Sequence, residues 1–233
     1  MNMKLNFALC LAGGLAVLTA GTFAADMLAT VPLLNGKDLS GWKIVGKGES
    51  QWKFGKAALD SADPKKLIVA GPGDEMISPE KGVNLATEAS FKDCRLELEF
   101  MVSKNSNSGV KLMNIYEIQI FDSFGKDPAG KSDCGAVYME NAPKVNACKK
   151  AGEWQSLVIE FRGPRFDEAG KKTANAKFVK VTLNGQVVQE DIEVVRGTGA
   201  GGKVAKEQAS GPVYLQGDHG PVAFRNMKLT PLN

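Results

Sequence analysis

The sequence predicts an all-β protein, a two-sheet antiparallel β-sandwich of the jelly-roll kind, and three observations carry that prediction. Residues 94–102, CRLELEFMV, alternate strictly: Cys94, Leu96, Leu98, Phe100 and Val102 face one way, while Arg95, Glu97, Glu99 and Met101 face the other. Asn184-Gly185 follows VKVTL, and this pair accepts the positive φ angles of a tight hairpin turn. No segment keeps a helical period; short runs are instead broken by Gly, Pro, Asn and Asp, the pattern of many short strands around one core.

The chain opens with a leader. Residues 1–24 run from Lys4 through an apolar stretch to small residues ending in Ala24, the layout of an export signal cut after Ala24. Gly13 and Gly14 interrupt the apolar run, which argues against a membrane-spanning helix. Residues 25–233 then form one β-sandwich domain, periplasmic or secreted, with no integral membrane segment. Strands are expected at 94–102, 109–113 and 115–121, then at 155–161, 177–183, 187–189, 212–216 and 222–230. Loops rich in Gly, Pro, Ser or Lys fall at 70–82, 123–134, 163–175 and 196–211.

Charge and cysteine content narrow the function classes. The net charge of +3 includes Lys4, and no basic stripe interleaves with aromatics, so nucleic acid is not an expected partner. Beyond the leader stand Cys94, Cys134 and Cys148, an odd number. Cys94 starts a strand and reads as a buried thiol. Export permits a disulfide between Cys134 and Cys148, which flank a loop. Three cysteines and one histidine have no structural-zinc spacing.

Several strands place charge or amide away from the core. A solvated outer face explains most of these groups. A concave outer face would instead form a groove, with Glu117 and Gln119, two apart on one strand, side by side in it. Carboxylates and amides there suit a hydroxyl-rich ligand. His219, the only histidine, lies in LQGDHGPVAFRNM (215–227) between Gly217 and Gly220, where one strand ends and another begins.

The order and spacing of several segments resemble the 3-keto-disaccharide hydrolase domain family. They are LLNGKDLSGW (33–42), NSNSGVKL (105–112), YEIQIFD (116–122), GAVY (135–138), NACKKAGEWQ (146–155), LNG (183–185) and GPVYLQGDHGPVAFRN (211–226), closing with FRNMKL (224–229). The resemblance implies a concanavalin A-like sandwich acting on an oligosaccharide or glycoside oxidised at C3, with a sugar 3-oxidoreductase acting upstream. A ketone at C3 acidifies the C2 proton and places the C1 leaving group β to the carbanion. Such a site needs a base near C2, donors or a cation near the C3 oxygen and an acid near the leaving oxygen.

The residues that fit are His219 and Glu117 as catalytic groups, because imidazole and carboxyl exchange protons in the working pH range. Gln119, Asp122, Lys111, Arg162, Gln216 and Asp218 are the substrate-binding candidates, with Asp122 also able to hold His219. Arg162 and its neighbour Arg165 are equally plain surface charges, and a lone histidine in a turn is equally a structural residue. No cofactor is demanded. A divalent cation on Glu117, Asp122, Asp218 and His219 is the one alternative, although no ligand spacing requires it. Trp42, Trp52 and Trp154 read as core rather than as sugar platforms. A non-catalytic, lectin-like module is the competing functional class, since this fold serves both.

Overall fold

The structure is a computed structural model that describes residues 29–198 and 206–233. The expected leader, residues 1–24, and the middle of the 196–211 loop lie outside the described residues. No helix occurs among the described residues. In chain order the first strands are β1 (Val31–Pro32), β2 (Trp42–Val45), β3 (Lys53–Gly55), β4 (Ala57–Leu59), β5 (Leu67–Val69), β6 (Glu75–Ser78) and β7 (Asn84–Thr87). Next come β8 (Cys94–Val102), β9 (Asn107–Leu112), β10 (Tyr116–Phe121), β11 (Gln155–Arg162), β12 (Arg165–Phe166) and β13 (Lys172–Ala174). The last are β14 (Ala176–Leu183), β15 (Gln186–Val194), β16 (Tyr214–Leu215) and β17 (Val222–Pro231).

Two antiparallel sheets form the sandwich. The larger runs β15-β14-β11-β8-β17-β6-β3, with β1 added on β17. The smaller runs β10-β9-β16-β7-β2. The alternation of CRLELEFMV selects the faces as expected. Cys94, Leu96, Leu98, Phe100 and Val102 enter the main core, and Met101 packs on the opposite face with Ala57, Leu67, Ile77 and Ala223. The β4–β5 hairpin supplies Ala57 and Leu67 to that second cluster. Trp42 and Trp52 are core residues, and each indole N–H donates to a backbone carbonyl. Trp154 packs at the edge of the second cluster, under the Arg225 guanidinium.

Asn184 and Gly185 both have positive φ, 50° and 81°, as a primed hairpin turn requires. Strands β2, β3, β6 and β7 carry little alternation of their own and escaped the sequence reading. β15 extends to Val194, well past the expected 187–189. Cys94, Cys134 and Cys148 are all buried free thiols. No disulfide joins Cys134 and Cys148, and Cys148 Sγ instead lies 3.5 Å from the Phe121 carbonyl and 3.3 Å from that of Lys149. Burial pushes the Cys94 thiol up to about 12.

The two layers are joined by an aromatic chain. Tyr116 of the small sheet meets Phe161 of the large one at 5.3 Å between ring centroids, and Phe161 meets Phe178 at 5.2 Å. All three side chains are fully buried. Phe161→Ala is expected to remove about 3–5 kcal/mol of stability. Chemical denaturation should show a lower midpoint with an unchanged slope.

Candidate functional site

The site is built on the outer face of the small sheet, and the strand register dictates its members. Directly opposed residues of antiparallel neighbours share a face. Tyr116, Ile118 and Ile120 point into the core, so Glu117 and Gln119 point outward. Glu117 stands opposite Lys111, and Lys111 opposite Tyr214. Gln119 stands opposite Gly109, whose carbonyl accepts from the N–H of Gln216. Asn84 follows in the same row on β7.

This outer face is not solvated in the ordinary way: Glu117 is 3% exposed and Gln119 2%. Gly109 makes the burial of Glu117 feasible. A Cβ at that position would stand 2.2 Å from Glu117 Oε1, so the carboxylate occupies the space a side chain would fill. Lys111 Nζ lies 3.4 Å from Glu117 Oε2 and 5.3 Å from the centre of the Tyr214 ring. Burial pushes the Glu117 carboxyl above the usual range, and Lys111 and then His219 pull against it without cancelling it. Burial likewise pushes the Tyr214 phenol up to about 12, aided by the charges of Asp218 and Glu117, so it stays a neutral donor.

His219 reaches this face from the connection between β16 and β17. That segment crosses from the small sheet to the large one, so it is a crossover at the sandwich rim rather than a hairpin turn. Gly217 and Gly220 let it pass close to its neighbours. A Cβ on Gly217 would sit 2.5 Å from the Val83 carbonyl, and one on Gly220 would sit 2.4 Å from Ser106 Oγ. Asn84 anchors the crossover: its Oδ1 accepts from the N–H groups of Gly217 and Asp218, and its Nδ2 donates to Asp218 Oδ2.

Asp218 Oδ1 lies 2.5 Å from His219 Nδ1, and the imidazole is about half exposed. Burial works to raise the Asp218 carboxyl, but hydrogen bonds from Asn84 and His219 outweigh it and hold the group below its usual value. An ionised Asp218 only accepts, so Nδ1 carries a proton and Nε2 is the ring nitrogen turned away from the carboxylate. Gln216 also touches Nδ1, at 3.1 Å. The amide atom that touches it is Gln216 Nε2, which leaves Gln216 Oε1 buried and without a hydrogen-bond partner.

Of the residues expected from sequence, Glu117, Gln119, Lys111, Gln216, Asp218 and His219 share this one face or its rim. Two do not join them. Asp122 follows β10 directly and accepts from the backbone N–H of Asn105, so it pins that turn, and Asp218 holds His219 instead. Arg162 lies on the outer face of the large sheet, on the far side of the sandwich. There it and Arg165 clamp Asp93, which also accepts from the Gly163 N–H. The set proposed for a cation is thereby split. Among the described residues, no three or more His, Cys, Asp or Glu side chains are placed to hold a metal ion.

Tyr214 and Asn84 were not anticipated. The run 212–216 gave Tyr214 no distinguishing mark, and the short strand carrying Asn84 was not recognised. Tyr214 has the same parity as Gln216 in that run, which is the signal that could have placed it on this face.

A strand face bearing a buried carboxyl and amide beside a half-buried phenol and ammonium belongs to a carbohydrate-active β-sandwich protein. The chain belongs to the 3-keto-alpha-glucoside-1,2-lyase-like domain family, whose model matches residues 29–230. Among solved structures it is similar to a Parabacteroides distasonis protein provisionally assigned as a glycosyl hydrolase. The two are 27% identical with a TM-score of 0.69, over 87% of this chain and 84% of that one. A second protein from that organism, with the same provisional assignment, shares the fold at 21% identity and a TM-score of 0.58, over 88% of this chain and 100% of that one. No curated protein matches the chain.

The raised Glu117 carboxyl has a consequence for stability. A group whose folded pKa exceeds its unfolded one favours the protonated folded state. That contribution is complete below the unfolded pKa and is lost as pH rises through the folded value. Glu117→Gln, which mimics the protonated form, should therefore melt a few degrees above wild type at pH 7.5. The two melting curves should converge below about pH 4.

Proposed function

We propose that the protein is an exported enzyme that cleaves 3-keto-glycosides by base-catalysed elimination, with addition of water completing a net hydrolysis. The observation that carries this reading is the pairing, on one face, of a buried carboxyl held near a single ammonium with an Asp-oriented imidazole. Family membership supports the substrate class, and the similar Parabacteroides distasonis protein supports action on a glycosidic bond.

His219 Nε2 takes the C2 proton, and Asp218 stabilises the imidazolium that forms. The electron pair of the C2–H bond moves into an enolate, whose C3 oxygen is met by the Lys111 ammonium. The C1–O bond breaks, its pair leaves on the aglycone oxygen, and that oxygen takes a proton from Glu117, which burial keeps protonated more readily than an exposed carboxyl. Water then adds at C1 of the resulting enone while a proton returns to C2. Neither half-reaction needs an oxidant or reductant, so the ketone must be introduced beforehand by a sugar 3-oxidoreductase.

The test is release of a chromogenic aglycone from a 3-keto-glucoside, with the unoxidised glucoside as control. Wild type should act on the ketone alone, with or without chelator. His219→Ala and Glu117→Gln should each lose about 10²–10⁴-fold in kcat. Full activity in both variants would sink the assignment. Sugar binding without release by wild type would mark the chain as a lectin-like module.

A further inference from the structure

We infer that Gln119 Oε1 reads a hydroxyl on the edge of the sugar ring away from the reacting bond, and so sets how the ring lies on the sheet. The inference rests on the proposed 3-keto-glycoside reading and specifies the orientation of that substrate. It begins from an unpaired atom. The Gln119 amide nitrogen donates to Asn107 Oδ1 and to the Ser132 carbonyl, both at 3.2 Å, which fixes which end of the amide is oxygen. That oxygen is buried and has no hydrogen-bond partner. A buried acceptor left unmet costs roughly 1–3 kcal/mol, a cost that a ligand donor removes.

Across the same row, Gln216 Oε1 is also buried and without a partner. The two residues stand on β10 and at the end of β16, with Gly109 between them and the Glu117 carboxylate over Gly109.

The chemistry of the two rows differs, and this orients the ring. Gln119 Oε1 accepts only, so it repels a carbonyl oxygen and requires an O–H, and the same holds for Gln216 Oε1. The adjoining row offers the donor, the Lys111 ammonium. The ketone therefore faces Lys111, and a hydroxyl faces Gln119. Because Gln119 is almost wholly enclosed, that hydroxyl is free rather than substituted, and the enzyme takes a terminal sugar.

The experiment compares wild type with Gln119→Met on a 3-keto-glucoside and its 4-deoxy, 4-fluoro, 6-deoxy and 6-fluoro analogues. Calorimetric Kd values are measured in parallel for the matching unoxidised glucosides, with the 2-deoxy and 2-fluoro compounds added. One position should stand out in wild type, losing about 10²-fold or more in kcat/KM or in Kd, with deoxy and fluoro alike because fluorine cannot donate. Gln119→Met should lower the parent compound to the level of that analogue and erase the difference. Losses under about threefold at every position, or a discrimination that survives in Gln119→Met, would overturn the inference. If Gln119→Met fails to fold, the deoxy and fluoro series on wild type decides alone. Coupling in Kd without turnover would support the Gln119 reading and reject the elimination chemistry; turnover without coupling would do the reverse.

Discussion

The site depends on the cost of burying one carboxylate on the outside of a sheet. Taking a charge from water is costly, and one lysine at 3.4 Å does not fully offset it for Glu117. The surrounding structure is arranged so that this cost stays local. The neighbouring strand has no side chain where the carboxylate lies. The backbone N–H of Glu117 donates to Thr198 Oγ1, which holds the strand from its outer edge. The loop at 135–138 pairs with the remaining backbone groups of β10, so the strand that carries the carboxylate is not a free edge.

The outer faces of the two sheets show how alike two polar strand faces can look in sequence. Glu97 and Glu99 alternate with core residues just as Glu117 and Gln119 do. On the large sheet the acids join a half-exposed ladder in which Arg95 meets Glu97 and Glu160, and Arg225 meets Glu75 and Glu99. Such partly solvated pairs each contribute little. On the small sheet the acid is enclosed and has one cation. The difference lies in what covers each face, which is set by loops distant in sequence.

This separates what was legible in the chain from what was not. Strand alternation placed the core of β8, β10, β11 and β14, because one residue in two must meet the opposing sheet. The Asn184-Gly185 turn was legible because its backbone angles demand those residues. Glu117, Gln119, Lys111, Gln216, Asp218 and His219 were named in advance, since parity and spacing bring the first four to one face and the crossover brings the last two. Arg162 was misplaced because its strand gives no sign of which sheet it joins. Asp122 sits one residue past its strand, where parity no longer applies. Asn84 anchors a segment more than 130 residues away, and no local pattern encodes such a bond.

Gly109 carries a further consequence. The space above its α-carbon is where the Glu117 carboxylate lies, so a side chain at position 109 and the glutamate as placed exclude one another. A side chain added at position 109 has to push the glutamate out of its place, while loss of the glutamate leaves that space free to be filled. The missing carbon atom is therefore as much a part of the acid's housing as any group that touches it.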